Sequence, residues 1–263
     1  MRLFIKESGQ TDAETIIFLH AGGISGWMWD EQLEFFHNYH CIVPDLPEHG
    51  MGADVKPFTI KGTAELLMGI IKEHTNNQRA HLVGISLGSQ IILQLLSKAP
   101  EMVESAFISG ALIRGNDDEV LLKLLDKTLK LYQPVKNSDF FIKANMRMYN
   151  MPKCFFKQYK QSIALVSDYS LERILTENLK FKLPDGLEKL NVPVMVMVGE
   201  KDYRIIKKSA IHIVEKLPRA ESAMVCNVGH LWNLESPELF NQVLFTWLSD
   251  KEPPKEGVSQ IRY

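Results

Sequence analysis

The sequence predicts an α/β fold: a mostly parallel, doubly wound sheet interrupted by an all-helical insertion. Three observations carry this expectation. Short apolar runs alternate with longer stretches of helical periodicity, the pattern of strands joined by crossover helices. The run Val192-Pro193-Val194-Met195-Val196-Met197-Val198 is apolar throughout, as suits a parallel strand covered on both faces. The alternation then stops from about Asn116 to Pro184, where several helical patterns follow one another.

In chain order, strands are expected at Arg2–Lys6, Thr15–Leu19, Cys41–Pro44, His81–Ile85, Ser105–Ser109, Val192–Val198 and Ser222–Asn227. Helices are expected at Trp29–His37, Ile60–Thr75, Ser86–Lys98, Ile205–Leu217 and Pro237–Ser249. The last of these starts where Ser236 can cap and Pro237 occupies the first helical position. The core then comprises residues 1–115 and 184–250, the helical insertion 116–183, and a C-terminal tail 251–263; the stretch Asp250–Gly257 is polar, Pro-rich and expected to be loose. Within the insertion, Leu121, Leu124, Leu125, Thr128 and Tyr132 share one helical face. So do Phe156, Tyr159, Ile163 and Val166, and then Leu171, Ile174, Leu175 and Leu179. The segment is rich in Phe, Met and Tyr. Most of these residues are expected to pack, and the rest to line an apolar pocket.

Composition bounds the function. The chain has 263 residues, 45% hydrophobic, with a net charge of −2, enough for one large core or a core with a small cap. Near-neutral charge leaves no electrostatic footprint for nucleic acid. No stretch approaches the roughly 20 apolar residues of a membrane span. Met1-Arg2-Leu3-Phe4-Ile5-Lys6-Glu7 carries charges where a signal peptide needs an apolar core. The three cysteines, Cys41, Cys154 and Cys226, are odd in number and scattered, which suits a reducing cytoplasm without structural disulfides. The expected partner is a small-molecule substrate, with neither nucleic acid nor membrane.

The chemistry is concentrated in Gly84-Ile85-Ser86-Leu87-Gly88, which follows the apolar run His81-Leu82-Val83 and precedes a helical one. A serine at the apex of a strand–turn–helix is forced into a cramped conformation that exposes its hydroxyl, and the flanking glycines permit the close approach this requires. Such a hydroxyl needs a base to take its proton and a carboxylate to orient that base. Of eight histidines, His230 is the candidate base, because Gly229-His230 follows the strand-like run Ser222–Val225 and so reaches a loop at the sheet rim. His37, His40, His49, His74, His81 and His212 suit surface or hydrogen-bonded structural positions. Asp202 is the candidate acid, on the turn Gly199-Glu200-Lys201-Asp202 at the end of a strand; Glu200 is its nearest rival, and Asp117 and Asp118 are remoter ones. A tetrahedral intermediate needs two donors for its developing O⁻. The Leu87 N–H is one candidate, and the N–H of Gly22 or Gly23, in the loop after Thr15–His20, is the other.

Together these pieces resemble the α/β-hydrolase superfamily. The order Ser86, Asp202, His230 is that superfamily's order. Pro44-Asp45-Leu46-Pro47-Glu48-His49-Gly50 resembles its Asp-x-x-Gly-His-Gly loop, with Glu48 replacing a glycine, and His20-Ala21-Gly22-Gly23 resembles its His-Gly oxyanion loop, which favours Gly22 over Gly23. The resemblance covers roughly residues 1–112 and 184–248. It implies a helical cap over the active site and chemistry that needs no metal or organic cofactor. It also implies a serine esterase acting on a small or medium, largely apolar ester, with Gly23, Trp232, Met148 and Phe156 contacting substrate. Related activities are carbon–carbon bond hydrolysis of vinylogous diketones, with Arg147 and Arg173 as candidates to hold a substrate carboxylate, and cofactor-free perhydrolysis. A non-catalytic ligand sensor is the reading from a different class. The fold alone does not choose among them.

Overall fold

The computed structural model describes residues 2–114, 119–250, 257–259 and 261. Asp117 and Asp118, and tail residues 251–256, lie outside the described residues. The sheet consists of β1 (Ile5–Gly9), β2 (Thr15–Leu19), β3 (His40–Pro44), β4 (Ala80–Ile85), β5 (Val103–Ser109), β6 (Val194–Gly199), β7 (Ala220–Val225) and β8 (Val258–Ser259). Their order across the sheet is β1-β3-β2-β4-β5-β6-β7-β8. The six central strands run parallel, while β1 and β8 pair antiparallel at the two edges. The helices are α1 (Asp30–Phe35), α2 (Ile60–His74), α3 (Leu87–Leu96), α4 (Glu119–Tyr132), α5 (Asp139–Met148), α6 (Phe156–Leu165), α7 (Asp168–Lys180), α8 (Arg204–Lys216), α9 (Trp232–Glu235) and α10 (Pro237–Asp250). No helix among the described residues is long and apolar enough to cross a membrane.

Alternation along each strand builds two cores. Ile17 and Leu19 of β2, Leu82 of β4, Ile108 of β5 and Val196 of β6 join one core with α2, α3 and α8. Their neighbours Ile16, Phe18, Val83, Phe107 and Met197 join the other, with Leu33 of α1 and Phe240, Leu244 and Trp247 of α10. Strands fully buried on both faces are why these runs read as continuously apolar rather than alternating. Helix starts carry their own signals: Thr59, Ser138 and Ser167 accept from the N–H groups of Gly62, Phe141 and Ser170 as caps of α2, α5 and α7.

Several expectations are corrected. β1 begins three residues later than Arg2, because its register is set by antiparallel pairing with β3, where Ile5 faces Pro44. β7 spans Ala220–Val225 rather than Ser222–Asn227, since β6 pairs Val194 with Ala220. Past the stretch expected to be loose, Val258 and Ser259 add an edge strand that was not expected, pairing with Val225 and Met224. In α4 the buried ridge runs through Leu129, with Leu125 and Tyr132 half-buried beside it, while Leu124 is 56% exposed. The α6 stripe does face inward, with Tyr159 and Ile163 buried.

Helices α4–α7 lie between β5 and β6. Arg173 of α7 clasps Glu48 with two bonds, Nε to Oε2 at 2.8 Å and Nη2 to Oε1 at 2.9 Å. Glu177 accepts the Ile60 N–H at 2.8 Å, and Asn178 exchanges hydrogen bonds with Gln90. One helix of the insertion is thus fastened to the core at three points.

Candidate active site

Ser86 sits between β4 and α3 with φ 56° and ψ −112°, a conformation that costs a non-glycine residue on the order of 1–3 kcal/mol. Packing on both sides holds it there. A Cβ on Gly84 would lie 2.7 Å from the Gly88 carbonyl carbon, and a Cβ on Gly88 would run into the Leu19 carbonyl oxygen. Both glycines are therefore required by close approach. The Ser86 N–H donates to Ser109 O at 2.8 Å. The Ser89 hydroxyl lies 2.8 Å from Gly84 O and 2.9 Å from Ser109 O, and accepts the Ser109 N–H. Ser89 thus clamps the turn to β5, a role that no spacing in the sequence announces.

The ends of β6 and β7 are zipped together. Glu200 and Lys201 donate their N–H groups to the carbonyls of Val225 and Val228, both at 2.8 Å. The Glu200 carboxylate accepts the Asn227 N–H at 2.7 Å. A Cβ on Gly199 would strike the Gly229 carbonyl oxygen, so only glycine lets the two loops meet this closely. Their meeting brings Asp202 and His230 together, Oδ2 to Nδ1 at 2.8 Å. The other Asp202 oxygen accepts the Tyr203 N–H at 2.8 Å. An acceptor at Nδ1 makes this nitrogen the protonated one, which leaves Nε2 free to accept a proton. Glu200, the rival acid, is occupied with Asn227 instead.

His230 lies against the turn that anchors Ser86. A Cβ on Gly110 would come within 2.8 Å of its ring, and Gly110 follows Ser109, whose carbonyl holds the Ser86 N–H. Tyr149, at the end of α5, lies 6.1 Å from the His230 ring between centroids. Glu235 accepts the Gly229 N–H at 2.7 Å. Tyr149 and Glu235 are neighbours of the histidine that sequence reasoning missed.

Gly22 and Leu87 meet across the mouth of the turn: a Cβ on Gly22 would sit 3.5 Å from the Leu87 side chain and 3.6 Å from Ile174 of α7. A Cβ on Gly23, which is at φ 74°, would sit 3.8 Å from Ile163 of α6. Leu87 opens α3, where an N–H has no partner inside the helix. The loop that carries Gly22 and Gly23 is braced by buried polar contacts. His20 accepts the Leu46 N–H at Nε2, 2.9 Å, so its proton is on Nδ1 and points to Ala21 O at 2.9 Å. Asp45 accepts the N–H groups of Gly26 and Met51, each at 2.7 Å.

Two expected substrate contacts are corrected. Trp232 is fully buried, donates its indole N–H to Ser109 Oγ at 2.9 Å and packs on Phe240 at 4.5 Å. It belongs to the core. Met148 is 53% exposed, because Ile142 and Met146 set the buried face of α5 and residue 148 falls on the opposite one. Phe156 lines a cavity beside α5. Arg173 is fully engaged with Glu48, which removes it as a free carboxylate anchor.

His20 and His49, with rings 5.1 Å apart, are buried. Burial holds the His20 imidazole down at about 4 against the opposing Ala21 carbonyl bond, and burial together with His20 holds His49 at about 3. Both are neutral when folded and protonate more readily when unfolded. The unfolded state therefore binds more protons below about pH 6.5, and stability falls with pH until the folded values are reached. Between about pH 6 and pH 4.5, denaturation curves should lose close to 1.4 kcal/mol per pH unit for each histidine, and His49→Gln should remove about half of that slope. An unchanged slope in the variant would mean that His49 does not carry it.

The profile of the alpha/beta hydrolase family matches residues 16–243. An AB hydrolase superfamily protein of Gibberella zeae is 38% identical over 106 residues, 40% of this chain and 38% of that one, so the matched part spans well under half of that relative. The carboxylesterase YbfK of Bacillus subtilis is 26% identical over 252 residues, covering 92% of this chain and 82% of that one. A bromoperoxidase structure from Bacillus anthracis superposes with a TM-score of 0.79 at 18% identity, over 94% of this chain and 95% of that one.

Proposed function

The chain belongs to the alpha/beta hydrolase family, and on that premise we propose that it is a serine hydrolase cleaving small or medium, largely apolar esters through an acyl-enzyme. The observation that carries this reading is the 2.8 Å contact between Asp202 Oδ2 and His230 Nδ1, beside a serine held at φ 56°. In the proposed sequence, His230 Nε2 takes the Ser86 proton as Oγ attacks the ester carbonyl. The Leu87 and Gly22 N–H groups stabilise the oxyanion, with Gly22 favoured by its contact with Leu87. Asp202 stabilises the imidazolium. His230 then gives its proton to the leaving alcohol, activates water against the acyl-enzyme, and returns the proton to Ser86 as the acid departs.

Helices α4–α7 act as the cap in this reading. Ile163 and Ile174 overhang the oxyanion loop, which supports an apolar acyl group at that point. The similarity to a carboxylesterase supports ester chemistry in preference to carbon–carbon hydrolysis, which also loses Arg173 as an anchor. The test is hydrolysis of p-nitrophenyl esters of increasing acyl length, with a fluorophosphonate probe and peptide mapping. Turnover with an optimum at short or medium chains, and one phosphonyl adduct on Ser86, are expected. Absence of turnover at every length, or labelling elsewhere, overturns the reading.

A further inference from the structure

A cavity of about 840 Å³ lies between α5, the start of α6 and the loops that carry Asp202 and His230. Its walls contain none of Gly22, Ser86, Leu87 or His230, so it is separate from the proposed catalytic centre. Its size is that of a pocket for a small organic ligand. Four cations line it, Lys143, Arg147, Lys153 and Lys201. Among the described residues, none of the four meets a carboxylate within 4 Å, although the Lys201 ammonium donates to the Asn227 carbonyl oxygen. Lys160, one helix turn past Phe156, shows the contrasting arrangement: Asp139 neutralises it at 2.6 Å. Glu235, the only acid among the described lining residues, accepts the Gly229 N–H. The apolar part of the wall is Met146, Met151 and Phe156, and the Lys143 ammonium lies 5.3 Å from the centre of the Phe156 ring.

We propose that this cavity binds an amphiphilic anion, a single carboxylate or similar headgroup with an apolar tail. The cations hold the headgroup, and Met146, Met151 and Phe156 receive the tail. Like charges without a carboxylate partner around one concavity repel each other, and an anion relieves that repulsion. A bare inorganic anion leaves the three apolar side chains uncovered. The site touches the proposed machinery from behind, because Glu235 supports the Gly229 N–H and a Cβ on Gly229 would lie 3.1 Å from Asn150 Nδ2.

The inference concerns binding and stands independently of ester turnover. Decanoate, decyltrimethylammonium and inorganic phosphate are titrated by calorimetry into the full chain, below micellar concentrations, and into Lys143→Gln/Arg147→Gln/Lys153→Gln. The three side chains are exposed, so the variant is expected to fold; its circular dichroism checks this. Decanoate should saturate one site, weaken about tenfold or more in the triple variant, and weaken further with added salt. Phe156→Ala should weaken decanoate as well. Equal binding of the cationic amphiphile overturns the proposal. So does phosphate binding as tightly as decanoate, decanoate affinity that survives the triple substitution, or no saturable binding.

Discussion

Ser86→Ala and Asp202→Asn should each yield folded protein whose kcat toward p-nitrophenyl esters falls by about 10⁴ or more. For Ser86 the reason is that the proposed mechanism loses its attacking oxygen. For Asp202 it is a tautomer. Oδ1 accepts the Tyr203 N–H and Oδ2 faces His230 Nδ1. In the asparagine variant the carbonyl oxygen keeps the Tyr203 bond and the amide nitrogen turns its hydrogens toward Nδ1. The imidazole must then carry its proton on Nε2, where it can no longer accept one from Ser86. Glu200→Gln keeps an acceptor for the Asn227 N–H and should change kcat by no more than about twofold. Steady-state kinetics on the three variants, with circular dichroism as the check on folding, decide the matter. A large loss in Glu200→Gln with a small one in Asp202→Asn would transfer the acid to Glu200.

Arg173→Met should cost about 3 kcal/mol of stability, the lower end for breaking a buried ion pair because Arg173 itself is 38% exposed. For a chain of this size that corresponds to a fall in Tm of roughly 6–12 °C. The Glu48 side chain is fully buried and, once the guanidinium is gone, retains no cation beside it, only the neutral donors Phe58 N–H, at 3.2 Å, and Ser170. The pH dependence has a definite sign. Burial works to raise the Glu48 pKa, but the Arg173 bonds and the Phe58 N–H outweigh it and hold the carboxyl below its ordinary value. The pair therefore stabilises the native protein above the ordinary glutamate range, and that contribution is lost as pH falls through it toward the lower folded value. Without Arg173, burial dominates, Glu48 protonates at higher pH, and acid stability shifts accordingly. Glu48→Gly/Arg173→Met should be more stable than Arg173→Met alone, because Glu48 sits at φ 63°, where glycine is unstrained. Thermal melts across the double-mutant cycle test this, and strict additivity would mean the two side chains are not coupled.

Local chemistry made much of this protein legible. Gly84 and Gly88 flank Ser86 because strand and helix approach too closely for any Cβ, and that need appears as a spacing of four residues. Asp202 and Glu200 were both visible on one turn, and the hydrogen-bond partners separate them. The misjudged positions share a different cause. Trp232 follows a candidate catalytic histidine closely, yet its indole turns inward to Ser109. Met148 lies in an amphipathic helix, and its phase points outward. β1 and β8 are edge strands, whose register comes from one neighbour instead of two.

The sequence by itself determined the α/β class, the strand–turn–helix at Ser86, and the chain order of serine, acid and histidine. These follow from periodicity and from residues whose backbone geometry is exceptional. Only the tertiary structure decided that Glu48 is held by Arg173, 125 residues away. It alone joined Asp202 to His230 through paired loops, and gathered Lys143, Arg147, Lys153 and Lys201 around one cavity. Such contacts depend on where helices stop and how loops cross. Those outcomes reflect the packing of the whole chain, and no short stretch of residues encodes them.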